Sequence, residues 1–311
     1  MSDTMRAVTY ERYGDPEVLS VTEMPRPKVG PGEILVRVRS ASVNPVDWKI
    51  MAGGLDAMMD AIFPVVPGWD VAGVVEEVGI DAPEFAAGDE VIAYARKDVV
   101  HGGTFAEFVT VPVRCAARRP ASASWNEAAG LPLAGLTAYQ VLTRLGVEKG
   151  STVLVHGASG GVGRMGVQIA RDLGARVIGT ASEKNHDMLR ELGAEPVTYG
   201  DGLADRVKEL APEGVDVVAD FVGGVVDVTT AVLAEGGRHG SIADPDVLKA
   251  GGQWMWVRPD ADDLAHLSQM VDDGRLRVDV AETFPFEKAR DAFDLSREGH
   301  TSGKIVVVVS E

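Results

Sequence analysis

The first 124 residues alternate short apolar runs with turn residues. "RAVTY", "EILVRVRSASV", "VAGVVEEVG", "DEVIAYA" and "TFAEFVTVP" are set apart by Pro and Gly clusters. Apolar positions in short runs bounded by such clusters predict strands, and hence a β-rich domain. Near Asn126 the period changes. "WNEAAGLPLAGLTAYQVLTRLG" has helical spacing broken at Pro132, and then "TVLVHG", "RVIGTA", "PVTYG", "DVVADFVG" and "GRHGSIA" alternate with helical or turn segments. Short apolar strands separated by helices build a parallel sheet covered on both faces. After Val257, helices are predicted at "ADDLAHLSQMVDDG" and "FEKARDAFDLSREG", with a last strand at "GKIVVVVS". Periodicity leaves open whether this tail joins the second domain or returns to the first.

A chain of 311 residues is long enough for two domains. Its net charge of −17 disfavours a nonspecific grip on nucleic acid or an anionic membrane. The single cysteine, Cys115, excludes an internal disulfide and a cysteine-built zinc lobe. The start "MSDTMRAVTYERYGD" has no apolar core of signal-peptide length and no later apolar run is long enough to span a bilayer, so the expectation is a cytoplasmic protein acting on a small molecule.

The stretch "HGASGGVG" follows a strand and opens a helix, the setting that makes a glycine burst informative. The dinucleotide fingerprint G-x-G-x-x-G maps onto Ala158, Gly160 and Gly163, with Ser159, Gly161 and Val162 between them. Gly160 lets the backbone approach a pyrophosphate, Gly163 lets helix and strand pack closely, and the helix N-terminus adds amide donors. The bland alternative is a tight strand-to-helix turn. The next strand ends "GTASEKN", so Thr180, Ala181 and Ser182 stand where an NAD enzyme carries a ribose-binding acid, and Lys184 follows. Small hydroxyl residues and a cation suit a 2′-phosphate, which favours NADPH over NADH, although a slip of one or two places makes Glu183 the ribose acid.

The β-rich half, "GLTAYQVL", "VLVHGASGGVG" and the terminal "GHTSGKIVVVV" together resemble the medium-chain dehydrogenase/reductase superfamily along the whole chain. "SVNPVDWKIMAGG" and "FPVVPGWDVAGVVEEVG" resemble its zinc-independent quinone oxidoreductase and enone (alkenal) reductase branch. The resemblance implies an α/β fold: a GroES-like β-rich catalytic domain over 1–125, a doubly wound Rossmann NADP-binding domain over 126–258, and a segment, 259–311, that returns to the catalytic domain. It also implies a homodimer formed near "QWMWVRP". Zinc-dependent members carry a cysteine and a Gly-His-Glu motif where this chain has Asn44 and Gly68-Trp69-Asp70, so the ligand set that zinc needs is missing.

Without a metal, a plain carbonyl has little to stabilise its developing negative charge, whereas an enone or quinone spreads that charge to its own oxygen. The resemblance sets the "NPVDWK" turn beside the nicotinamide; the bland reading of Asn44-Pro45 is that turn alone. There Asn44 is a candidate to hold the substrate oxygen and Lys49 to donate to it or to the cofactor ribose, with Asp47 either catalytic or a structural acceptor. It also brings Thr137 to the nicotinamide ribose, Tyr199 to the adenine end, and Val222, Gly223 and Ile242 to the strand ends where ligands bind. Gly240 and Asp244 depart from the apolar loops expected there. His300 is a candidate phosphate neighbour. Trp48, Trp69, Met51, Met58, Met59, Trp254 and Trp256 are candidates to shape the cleft, or else core and interface residues. The expected activity is NADPH-dependent reduction of a quinone or an α,β-unsaturated carbonyl. Two rivals stand beside it: a noncatalytic NADPH-binding protein, and an enoyl-thioester reductase with a cationic entrance at Arg96, Lys97, Arg114, Arg118 and Arg119.

Overall fold

The computed structural model describes residues 3–299 and 301–310. The chain divides into two compact units, one from Met1–Leu133, Pro259–Asp273 and Val278–Glu311, the other from Ala134–Arg258 and Gly274–Arg277.

The first unit opens with β1 (Thr4–Thr9), β2 (Ser20–Pro25), β3 (Glu33–Val43) and α1 (Pro45–Met51). It continues through β4 (Ala61–Val66), β5 (Asp70–Val78), β6 (Glu90–Tyr94), β7 (Val100–Gly102), β8 (Phe108–Pro112), β9 (Ala116–Arg118) and α2 (Trp125–Gly130). The helix α3 (Pro132–Arg144) leads into the second unit. There β10 (Thr152–His156), α4 (Gly161–Asp172), β11 (Arg176–Ala181), α5 (His186–Glu191) and β12 (Glu195–Thr198) come first. They are followed by α6 (Leu203–Leu210), β13 (Val215–Asp220), α7 (Val226–Val232), β14 (Leu233–Ser241) and β15 (Gln253–Trp254). The tail forms α8 (Ala261–Asp272), β16 (Val280–Pro285), α9 (Ala289–Glu298) and β17 (Lys304–Val308).

In the first unit a seven-stranded sheet runs β16-β17-β3-β5-β6-β9, with β8 also on β3. The run "KIVVV" of β17 is almost entirely buried because it lies inside the sheet, antiparallel to β3 in the register Ile305↔Val43. The terminal strand is therefore part of the first unit's sheet. The "NPVDWK" segment, expected as a turn, is the start of α1. Asn44 takes the position before the helix with extended backbone, and Pro45 fills the first turn, where its missing N–H costs nothing. Short strands such as β4, β7 and β9 escaped the periodic reading because few of their residues alternate.

The second unit carries one six-stranded parallel sheet in the order β12-β11-β10-β13-β14-β15. Numbered from its own first strand this is 3-2-1-4-5-6, the doubly wound arrangement, whose order reverses between β10 and β13. Leu154, Ile178, Val197, Val207, Val215 and Val218 fill the core on the face covered by α6 and α7. Burial on both faces explains why these strands read as continuous apolar runs.

Candidate functional site

In the first unit the end of β3, α1, β5 and β17 converge on one buried polar cluster. The Lys304 Nζ donates to Asn44 Oδ1 and lies 3.8 Å from Asp70 Oδ2. Asn44 Nδ2 donates to the same Asp70 oxygen at 2.8 Å, Ser42 Oγ donates to it at 2.7 Å, and the Leu133 N–H donates to Asp70 Oδ1 at 2.8 Å. Burial pushes the Asp70 carboxyl up, and the ammonium with the neutral donors pulls it back. Burial likewise pulls Lys304 down against the charges of Asp70 and Asp47. A buried ion pair with its remaining lone pairs filled is the arrangement that a low-dielectric site tolerates.

Asp47 lies one helical turn on from Asn44. Its Oδ2 accepts from the Asn44 N–H at 2.7 Å, while Oδ1 has no hydrogen-bond partner among the described residues. Burial pushes its carboxyl up to about 8, so the group holds a proton at neutral pH. Lys49, two residues further, is exposed, its Nζ 5.5 Å from the centre of the Trp48 ring. The three predicted catalytic positions thus share α1 and its entry but differ in setting. Asn44 has its amide engaged by Asp70 and Lys304, Asp47 is a buried acid, and only Lys49 faces solvent.

In the second unit the glycine loop is tied to the neighbouring strand. Gly157 N donates to Thr180 Oγ1 and Ala158 N to Thr180 O, and Arg164 Nε donates to Ser159 O at 3.1 Å. A β-carbon on Gly163 would stand 2.1 Å from Gly157 O, so that position admits glycine alone. A β-carbon on Gly160 would meet nothing closer than 3.4 Å, so the protein itself does not demand glycine there. Gly160 also precedes α4, whose first amides, from Gly161 and Val162 onward, face the loop. Open backbone at a helix N-terminus is the cradle a pyrophosphate needs. Ala158 is fully buried and packs over Gly179, leaving the approach to Gly160.

Opposite Ala181 in parallel register stands Thr198, so the residues that follow, Ser182 and Tyr199, are neighbours at the sheet's edge. Ser182 is half-buried and its Oγ accepts from Asn185 Nδ2 at 3.2 Å, while Lys184 and Tyr199 are exposed. Asn185 escaped the sequence reading, since nothing in its spacing distinguishes it from a turn asparagine. Thr137 is buried on α3. His300 lies outside the described residues.

A second clamp shapes the loops after β13 and β14. Asp220 Oδ1 accepts the Val222 and Gly223 N–H groups at 2.9 Å each, and its Oδ2 accepts from Ser241 Oγ at 2.6 Å. Ser241 Oγ in turn accepts from the Ala243 and Asp244 N–H groups, and Ile242 N donates to Asp220 O. Asp244 accepts from Gly224 N, which gives its departure from an apolar loop a structural reason. The predicted residues Val222, Gly223 and Ile242 are thereby brought together at the sheet's carboxyl end by an acid that no motif announced.

Of the candidates for shaping a cleft, Met51 is fully buried, Trp69 nearly so, and Trp48 Nε1 donates to Ser296. Met58 and Trp254 are exposed. Arg118 is paired with Asp89 at 2.7 Å and Arg119 with Glu90 at 2.6 Å, which neutralises two of the five cations of the supposed basic entrance.

Residues 30–121 match the alcohol dehydrogenase GroES-like domain and residues 192–307 match a family described as zinc-binding dehydrogenase. An NADPH-dependent alkenal/one oxidoreductase of Arabidopsis thaliana is 33% identical over 97% of this chain and 79% of the relative. The structure of the quinone oxidoreductase from Coxiella burnetii is 30% identical, with a TM-score of 0.86, covering 99% of this chain and all of that one. A mycobacterial protein solved in complex with NADPH is 29% identical, with a TM-score of 0.85 over 98% of this chain and all of that one.

The zinc in one of those descriptions does not suit the donors present. Trp69 offers no ligand atom, the Asn44 oxygen is occupied by the Lys304 ammonium, and both Asp70 oxygens are hydrogen-bonded. Among the described residues no three of His, Cys, Asp or Glu gather as a metal site. The glycine loop and the ends of β11, β13 and β14 do suit a dinucleotide. With relatives this similar along nearly its whole length, the chain belongs to the medium-chain dehydrogenase/reductase superfamily, in the branch of the quinone and alkenal/one oxidoreductases.

Proposed function

We propose that the protein is an NADPH-dependent oxidoreductase that reduces quinones or α,β-unsaturated carbonyl compounds without zinc, residues 126–258 binding the cofactor and 1–125 with 259–311 serving the acceptor. The observation that carries the reading is the cradle at Gly160, set beside a strand end that offers the Ser182 hydroxyl and the Lys184 ammonium. A carboxylate in that place would repel a 2′-phosphate; a hydroxyl and a cation receive it. The names of the relatives support the same chemistry.

When bound, NADPH supplies hydride. A conjugated acceptor carries the incoming charge on its own oxygen, and what it asks of the protein is a placed donor. Lys49 is free at the surface of α1 to donate to that oxygen or to the cofactor ribose. Asp47 stores a proton on the same helix. Asn44 acts through its neighbours, fixing the entry of α1 against Asp70 and Lys304. The thioester reading is weaker, because Arg118 and Arg119 are committed to carboxylates.

The open edge strand β15, with Trp254 exposed, supports a homodimer paired through that edge. The acidic surface and the lack, among the described residues, of a helix long and apolar enough to cross a membrane support a cytoplasmic location.

The test is oxidation of NADPH and of NADH by the purified protein in the presence of a chelator, with a quinone, an alkenal, a cyclic enone and a saturated aldehyde. Turnover of conjugated acceptors alone, preferring NADPH, is expected. Binding of NADPH with no turnover on any acceptor overturns the reading in favour of a noncatalytic binding protein.

A further inference from the structure

In the sheet of the second unit, β11 and β10 lie on one side of the switch point, β13 and β14 on the other. A dinucleotide with its pyrophosphate at Gly160, after β10, and its adenosine end at Ser182, after β11, leads its other half over the loops that follow β13 and β14. Those loops are residues 221–224 and 242–244.

Every N–H of the two loops is engaged within the protein. Phe221 N donates to His156 O at 3.4 Å, while Val222 and Gly223 N–H groups reach Asp220 Oδ1. Gly224 N donates to Asp244 Oδ2 at 3.1 Å and Ile242 N to Asp220 O at 3.1 Å. The Ala243 and Asp244 N–H groups donate to Ser241 Oγ at 3.1 and 3.0 Å, and Ser241 gives its own proton to Asp220 Oδ2. Four of the seven amides thus end on one carboxyl and hydroxyl pair, Asp220 being 4% and Ser241 1% exposed. The carbonyls are left over: among the described residues none from Phe221 to Gly224, nor that of Ile242 or Ala243, accepts a backbone hydrogen bond. Backbone whose donors are withdrawn can recognise only a donor.

We propose that Asp220 and Ser241 are positioning residues that set the polarity of this end of the sheet, drawing the N–H groups inward so that the loops select a nicotinamide by the NH2 of its carboxamide and not by its oxygen. The inference rests on the NADPH reading and deepens it. The same bonds hold Val222 over the glycine loop, where a β-carbon on Gly157 would stand 3.3 Å from Val222 Cβ. The loops after β10 and β13 therefore meet across the switch point.

The test is calorimetric binding of four ligands to the full chain: NADP+, its 3-acetylpyridine analogue, its thionicotinamide analogue and adenosine 2′,5′-bisphosphate. The first analogue exchanges NH2 for a methyl group; the second keeps NH2 and exchanges the oxygen for sulfur. The acetylpyridine analogue is expected to bind about tenfold weaker than NADP+, since it sets a methyl group against unpaired carbonyls, and the thio analogue to stay within about threefold. Ser241→Ala frees the Ala243 and Asp244 N–H groups and Asp220→Ala those of Val222 and Gly223, so in each the gap between NADP+ and the acetylpyridine analogue should shrink to about threefold or less, with the bisphosphate bound as before. Retained bisphosphate binding shows that a variant is folded, and the wild-type comparison needs no variant. Equal binding of NADP+ and the acetylpyridine analogue by the wild type overturns the proposal and leaves the NADPH reading intact. So does a gap unchanged in variants that still bind the bisphosphate. A wild type that binds neither NADP+ nor the bisphosphate removes the NADPH reading and the proposal together.

Discussion

The ammonium of Lys304 lies 3.8 Å from the Asp70 carboxylate, and both side chains are almost completely buried. Removing one partner of such a pair strands the other charge away from water, which costs about 3–5 kcal/mol. Lys304→Met and Asp70→Asn are each expected to destabilise the protein on that scale, and the double variant by clearly less than their sum. Urea unfolding of the four proteins closes the cycle; additive losses would mean that the two groups do not interact.

The buried acid on α1 predicts a pH dependence. In the unfolded chain Asp47 titrates near 3.9 and in the folded protein near 8. Between those values the unfolded chain releases a proton that the native state keeps, so this group's contribution is fully present below about pH 4 and is lost as pH rises to 8. Asp47→Asn removes the slope. Its urea midpoint should therefore gain on the wild type from about pH 5 to 8, and parallel curves would show that the native carboxyl is already ionised.

Two glycines of one loop should behave oppositely. Gly163→Ala forces a β-carbon to 2.1 Å from Gly157 O, so it is expected to lower the melting temperature sharply. Gly160→Ala meets only ordinary contacts within the protein and should melt normally, yet its methyl group stands where a pyrophosphate approaches. A loss of NADPH affinity at unchanged stability is the expected result, read by calorimetry.

Cofactor choice should follow the end of β11. Lys184→Ala is expected to weaken NADPH about tenfold and leave NADH unchanged, because a charge-assisted contact to a phosphate is worth roughly 1.5 kcal/mol or more. Ser182→Asp should reverse the preference. Titration of each variant with both nucleotides decides it, and equal losses for the two would place the 2′-phosphate elsewhere.

What could be read in advance depended on range. The parallel sheet and its glycine loop were legible because each strand, turn and helix is written in consecutive residues, "VLVHGASGGVG" most plainly. The proposed catalytic positions Asn44, Asp47 and Lys49 were reached through a local motif, but their settings were not. Asn44 was expected to face a substrate and is instead held by Lys304, 260 residues away, a partner that no spacing rule reaches. Asp220 and Ser241 stayed hidden for a related reason, since an acid at a strand end looks like a turn residue until the adjacent parallel strand supplies the hydroxyl. Helix α1 was read as a turn because Asn-Pro serves equally well to start either.

The position of Lys304 also bears on how the protein is made. Synthesis delivers Asp47 and Asp70 early, while the cation that neutralises their surroundings arrives with the final strand, after the whole Rossmann unit has emerged from the ribosome. The nucleotide-binding half can therefore close while the other half waits, its two carboxylates still in water, for the strand that carries Lys304.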